Sequence, residues 1–278
     1  MWAGEYARVV QELSARREPF AVATVTRTEG STLAKAGFKV LISRAGKVVG
    51  GTLGGGCPEG PIVEAARLAM DAGVPRLLRV HLVDAESSVR GTIGGAKEDE
   101  IYVETYCGGT LEVFVEPMFP ADRLVLVGQG GKDDVEEALV HLGKAVGFEV
   151  VVVDPLPQLR EKPDRIVESD EVDVKSLSLC ERDSVVVLTK GDRDVAVLEA
   201  LSRAKTRFVG LLGSRQRLAK DLEELRAKRV PKAFLDSLHA PIGLDIGAKT
   251  PSELALAIVA DVIATKYGKD VPHKPAGG

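Results

Sequence analysis

The chain carries three cysteines, Cys57, Cys107 and Cys180, and two of them sit among glycines. The run Gly54-Gly55-Gly56-Cys57-Pro58-Glu59 joins a strand-like stretch to a helix-like one. Glycines let the backbone approach a ligand closely, and a helix start offers free amides to an anion. A thiol there feels the positive end of the helix, which lowers its pKa and favours the nucleophilic, metal-binding thiolate. The same residues would also serve as a tight turn with Cys57 buried as a small hydrophobe, and spacing alone does not separate the two. Tyr106-Cys107-Gly108-Gly109 repeats the pairing of a thiol with glycines. There is no Cys-x-x-Cys, and His81, His141, His239 and His273 are dispersed, so a closed structural zinc site is not expected. Cys180 has no glycine context and is expected only to pack.

A second group of candidates lies further along the chain. Gly128-Gln129-Gly130-Gly131 follows an apolar run, where a dinucleotide fingerprint belongs, and Asp154 ends the next such run, where it would meet a ribose. The position of a third glycine is Asp133, with Asp134 beside it. Two carboxylates would repel a pyrophosphate and are better explained as helix caps, with Lys132 offsetting one charge. In a 3-2-1-4-5 strand order the loops after strands one and four flank the point where ligands bind. Lys190, in Thr189-Lys190-Gly191-Asp192, and Arg215, in Gly213-Ser214-Arg215, would then either favour a phosphate or stay solvated, and Ser214 is placed to cap a helix. The loop from His239 to Gly247 either turns tightly over the sheet or forms a lid. Its Asp245, near two glycines, would accept hydrogen bonds from a ligand or cap a turn.

The elements that must position these residues divide near Pro117-Met118-Phe119-Pro120. Before that point, an amphipathic helix (2–16) leads to a strand (20–26), a polar loop (29–32) and a hairpin (38–43 and 47–51). A helix to Ala72 and strands over 77–83, 101–105 and 110–116 complete a mixed α+β domain. Beyond it, strands over 123–127, 148–153, 165–167, 184–188 and 207–212 alternate with helices. Several are near-continuous apolar runs, the pattern of strands covered on both faces. Thr250-Pro251-Ser252-Glu253 is a capping box with proline at the first helical position. The fold class is α/β, with an N-terminal mixed α+β domain over 1–118 and a Rossmann-like, doubly wound parallel sheet over 119–278.

Over 278 residues, 45% are hydrophobic and 28% charged, with no tract of 18 consecutive apolar residues, which excludes a disordered chain and an integral membrane protein. Lys plus Arg number 37 against 41 acidic residues, so the formal charge of -4 argues against nucleic-acid binding. The scattered cysteines and the absence of a signal core after Met1 fit a cytoplasmic protein.

Taken in order, Glu29-Gly30-Ser31-Thr32, Gly54 to Glu59, and Cys107-Gly108-Gly109 with Val115-Glu116-Pro117 resemble the first domain of the XdhC/CoxF family. These are maturation factors for xanthine and carbon monoxide dehydrogenases. Val209 to Arg215 and His239 to Gly247 resemble the hallmarks of its second domain. The chain departs from the family pattern where Gly131 replaces a histidine and where Thr189-Lys190-Gly191-Asp192 replaces a histidine-containing turn. The resemblance implies a chaperone, rather than a catalyst, that binds the molybdenum cofactor with or without its cytidine nucleotide. It would protect the cofactor during sulfuration and deliver it to an apo molybdenum hydroxylase. A cysteine desulfurase as a further partner and a homodimer go with that expectation. The cofactor-binding set expected is Ser31, Gly54, Gly55, Gly56, Cys57, Glu59, Cys107, Gly108 and Gly109 in the first domain. Gly128, Gly130, Asp154, Lys190, Gly213, Ser214, Arg215 and Asp245 complete it in the second, and Cys57 is the expected metal ligand. The alternative is an NAD(P)-dependent oxidoreductase using Gly128, Gly130 and Asp154, against which Asp133 and Glu136 count. A third possibility is a scaffold that docks the hydroxylase or the desulfurase and leaves the thiols dispensable.

Overall fold

A computed structural model of the chain describes residues 3–54, 59–83, 99–104, 108–191 and 193–271. Two compact units follow one another, Met1–Pro120 and Ala121–Gly278. No helix among the described residues is long and apolar enough to cross a membrane.

The first unit contains α1 (Ala3–Ala15), β1 (Phe20–Gly30), β2 (Lys39–Ser43), β3 (Val48–Gly51), α2 (Glu59–Ala72), β4 (Arg76–Val83), β5 (Glu100–Glu104) and β6 (Gly109–Met118). The sheet order is β3-β2-β1-β6-β4-β5, antiparallel except between β4 and β5. Alternation along the strands sends Ala21, Ala23 and Val25, with Leu111, Val113 and Val115, to one face. There they meet Ile62, Ala66, Ala69 and Met70 of α2. On the opposite face Val9 and Leu13 of α1 cover Phe20, Val22 and Leu41.

Two local expectations are corrected. The polar residues Glu29 and Gly30 belong to β1, because they pair with Thr110 and Gly109 of β6 beyond a bulge at Val25–Arg27. Pro117 lies inside β6, opposite Ala21. The β4 ladder ends at the Arg76–Val115 pair, so at Pro117 strand β6 has lost one neighbour and tolerates a residue without an N–H.

The second unit contains β7 (Arg123–Val127), α3 (Asp134–Ala145), β8 (Glu149–Val153), β9 (Arg165–Val167) and β10 (Asp183–Val187). It continues with α4 (Asp194–Leu201), β11 (Phe208–Leu211), α5 (Arg215–Ala227), α6 (Lys232–Asp236) and α7 (Pro251–Lys266). Its five strands are parallel, in the order β11-β10-β7-β8-β9, which is the expected 3-2-1-4-5 arrangement. Leu124, Leu126, Val150 and Val152 face α3 and α7, and Val125, Val127, Val185 and Val187 face α4 and α5. Both faces are therefore dry, which is why these strands read as unbroken apolar runs. At their starts, buried Arg123 grips Asp183 through Nε (3.0 Å) and Nη2 (2.7 Å) and fixes β7 beside β10. Thr250 and Glu253 form the predicted capping box, with Pro251 in the first turn.

Candidate functional site

In the first unit, three predicted segments meet at one loop. The Ser31 amide donates to the Gly108 carbonyl at 2.7 Å, holding the end of β1 to the start of β6. A Cβ on Gly109 would lie 2.6 Å from the Glu29 carbonyl oxygen and 2.7 Å from Thr32 Cγ2. Gly54, at φ +103°, would place a Cβ 2.9 Å from the Leu33 carbonyl carbon. Both positions admit only glycine, one for space and the other for space and backbone angle. The half-turn is further tied by Thr32 Oγ1, which donates to the Ala34 carbonyl, and by the Gly54 amide, which donates to Thr52 Oγ1. Ser31, Gly54, Gly108 and Gly109 are thus brought together, while Glu59 stands exposed in the first turn of α2. Gly55, Gly56, Cys57 and Cys107 lie outside the described residues. Among the described residues no group of three or more His, Cys, Asp or Glu side chains is placed to hold a metal ion.

In the second unit Gly128, Gly130, Asp154 and Lys190 gather at the C-terminal ends of β7, β8 and β10, while Gly213, Ser214 and Arg215 follow β11. The turn after β7 is held by Asp154, whose Oδ2 accepts from the Gly130 amide (2.8 Å) and Oδ1 from the Leu156 amide (2.7 Å). Asp154 is almost fully buried, so its carboxylate serves the turn rather than pointing out of it. Asp133 is the cap of α3, as expected, accepting from the amides of Val135 (2.8 Å) and Glu136 (3.3 Å). The chain's own carboxylate therefore occupies helix-start amides where an anion would otherwise sit. Lys132 pairs with Asp134 at 3.1 Å, and Lys190 crosses from the loop after β10 to Asp133 at 2.9 Å.

Three residues that sequence reasoning did not assign organise these loops. Asp194, fully buried, accepts from the Thr189 hydroxyl and from the Gly191 amide (3.1 Å), and Arg217 Nε stands 3.0 Å from it. Arg217 also donates to the Leu212 carbonyl, so one pair fixes both the Lys190 loop and the start of α5. Arg193 donates to the Gly128 carbonyl at 2.5 Å and to Asp170. Burial and the neighbouring Asp194 raise the pKa of Asp221 above the usual carboxylate value, with Arg217 opposing. Ser214 caps α5 by accepting from the Arg217 amide at 3.4 Å, and Arg215 beside it is exposed.

The His239–Gly247 loop turns tightly over the sheet edge. The His239 amide donates to Val209, Leu211 donates back to His239, and the ring packs 4.3 Å from Phe208. Buried Asp261 of α7 holds the loop through His239 Nδ1 (3.2 Å) and the Gly243 amide (3.1 Å). Asp245 remains exposed.

Comparison with known proteins follows the same two-unit division. Residues 13–81 match the family model described as the XdhC and CoxI family, and residues 124–262 match that of the XdhC Rossmann domain. YqeB of Escherichia coli (strain K12) is 29% identical over 254 residues, covering 89% of this chain and 44% of YqeB. The chain thus spans less than half of that relative's length. A Bacillus subtilis (strain 168) protein, named as a probable subunit of xanthine dehydrogenase, is 25% identical over 334 residues, 95% of this chain and 98% of that protein. A crystal structure of a xanthine dehydrogenase from Bacillus halodurans aligns at 22% identity with a TM-score of 0.46, covering 95% of this chain and 96% of that one. With both models matched in chain order, one of them over half the sequence, the chain belongs to the XdhC/CoxF family.

Proposed function

We propose that this chain is an accessory factor in the maturation of a xanthine dehydrogenase-type molybdenum hydroxylase, carrying the molybdenum cofactor as cargo. Family membership supports the accessory role, as does the likeness to the Bacillus subtilis protein along nearly its whole length. The observation that carries the cargo reading is the convergence in the first unit. Gly54 and Gly108 border the two thiol-bearing segments in sequence, and both reach the same 30–34 loop, Gly54 at a distance only glycine allows. A pterin dithiolene with a phosphate tail needs backbone approach and amide donors, and a glycine-lined loop provides both.

On this reading Cys57 holds the metal end of the cargo or relays sulfur, and Cys107 is the second thiol. The protein transfers its cargo to the apo-hydroxylase, works in the cytoplasm as a homodimer, and has a cysteine desulfurase as a further partner. Purification of the full chain from cells that make the cofactor, followed by assay of bound molybdenum and of pterin fluorescence after oxidation, tests it. Both should be present in wild type and reduced in Cys57→Ala. Neither present, with tight NAD(P)H binding instead, would overturn the cargo reading and favour the oxidoreductase alternative.

A further inference from the structure

The turn after β7 has two carboxyl groups filling the space that a side chain at Gly128 would take. Glu136 of α3 is 1% exposed, and neither of its carboxylate oxygens has a hydrogen-bond partner. Asp154 next to it has both oxygens committed to the amides of Gly130 and Leu156. A Cβ on Gly128 would lie 2.5 Å from Glu136 Oε1 and nearer still to Asp154 Oδ2, so the two groups press on the same point of the backbone. The charged groups around Glu136 are Asp154 from the end of β8, Asp133 and Glu137 at the start of α3, and Lys190 from the loop after β10. Three are acidic and one is basic. Arg193, the first residue before α4, reaches the Gly128 carbonyl instead.

We propose that the Gly128–Gly131 turn is a proton-linked clasp: a proton on Glu136 keeps it closed, and release of that proton to solvent drives Asp154 from the Gly130 amide and opens the mouth between β7 and β10. Burial, then the charges of Asp154 and Asp133, push the Glu136 pKa up to about 8, with Lys190 opposing. An opened Glu136 meets water and returns toward its ordinary value of 4.5. Opening therefore becomes easier as pH climbs between those two values and levels off above the higher one. The clasp is a property of the second unit alone and stands or falls independently of the cargo.

Hydrogen–deuterium exchange of the full chain, followed in a peptide spanning Gly128 to Glu136 and corrected for intrinsic chemical exchange, reads the opening equilibrium. Wild type should open up to about tenfold more per pH unit between roughly pH 6 and 8, then reach a plateau. Glu136→Gln should flatten this dependence to within about twofold across the range. Lys190→Met, at a half-exposed side chain, removes the one opposing cation and should move the plateau to higher pH. If Glu136→Gln does not fold, the Lys190→Met shift decides alone. A pH-independent opening in wild type, the same pH dependence in Glu136→Gln, or a plateau unmoved by Lys190→Met overturns the clasp.

Discussion

Asp194→Asn removes one charge from the point where both loops at the mouth of the parallel sheet are tied. The side chain is fully buried, accepts from the Thr189 hydroxyl and the Gly191 amide at 3.1 Å, and forms an ion pair with Arg217 Nε at 3.0 Å. An amide of the same shape keeps one acceptor oxygen and turns an NH2 toward a donor, so at least one contact becomes repulsive. Removing one member of a buried ion pair costs about 3–5 kcal/mol. Arg217 retains 27% of its side-chain exposure and rehydrates in part, which places the cost at the low end, about 3 kcal/mol. For a unit of this size that lowers Tm by about 6–12 °C, at about 2–4 °C per kcal/mol. Differential scanning calorimetry of the full chain measures it, with the first unit's transition as internal reference. Asp221 supplies a second readout, because losing the adjacent Asp194 charge should bring its raised pKa down in an NMR titration. Melting within about 1 °C of wild type would refute the assignment of Asp194 as the tie between these loops.

Arg123→Met should destabilise the second unit by about 3–5 kcal/mol in urea, because it removes the guanidinium that faces the fully buried Asp183 carboxylate through two hydrogen bonds. The double variant Arg123→Met/Asp183→Leu should recover most of that loss, since well-packed apolar residues often replace a buried ion pair without cost. Gly54→Ala should cost the first unit more than about 1 kcal/mol by denaturant midpoint and release bound cofactor, because its Cβ meets the Leu33 backbone at positive φ. Global stability of the second unit should fall as pH rises from 4.5 to about 8, because folded Glu136 keeps a proton that the unfolded chain has lost. The steepest contribution is about 1.4 kcal/mol per pH unit, and Glu136→Gln should remove it in chemical denaturation series across that range.

The architecture of the second unit was readable because both faces of its sheet are covered, so each strand appears as an apolar run with no polar alternation. Asp133, Ser214 and Thr250 were readable as caps, since capping is local chemistry within three residues. What was missed depends on distant partners, yet part of it left a trace. Asp194 shares a helical stripe with Val197, Leu198 and Leu201, at spacings of three, four and seven, and all four are buried. Glu136 keeps the same company with Leu139, Val140 and Gly143, and Asp261 with Ala257, Ile258 and Ala264. An acidic residue on an apolar stripe announces a buried carboxylate, though not which amide or guanidinium will meet it. The inward turn of Asp154 left no such trace, because a ribose-binding aspartate would occupy the same sequence position. The pairing of Glu29 and Gly30 within β1 was hidden for a related reason, since their partners Thr110 and Gly109 lie some eighty residues away.

The mouth of the parallel sheet has three ties, and their strengths differ enough to say which yields first. Asp154 binds two backbone amides while almost fully buried, and displacing it would strand those donors and a carboxylate together. Asp194 holds its loop from a fully buried position, and removing its charge costs several kcal/mol. The pair that spans the gap, Lys190 to Asp133, has a lysine side chain that is 44% exposed. A pair of that kind contributes about 0.2–1 kcal/mol, because water replaces the lost contact. While Glu136 keeps its proton, a ligand entering between β7 and β10 will therefore part Lys190 from Asp133 before it disturbs either buried aspartate. An anionic ligand gains the freed ammonium but still meets Asp133 on the α3 amides, so the pyrophosphate position of an ordinary dinucleotide site stays taken.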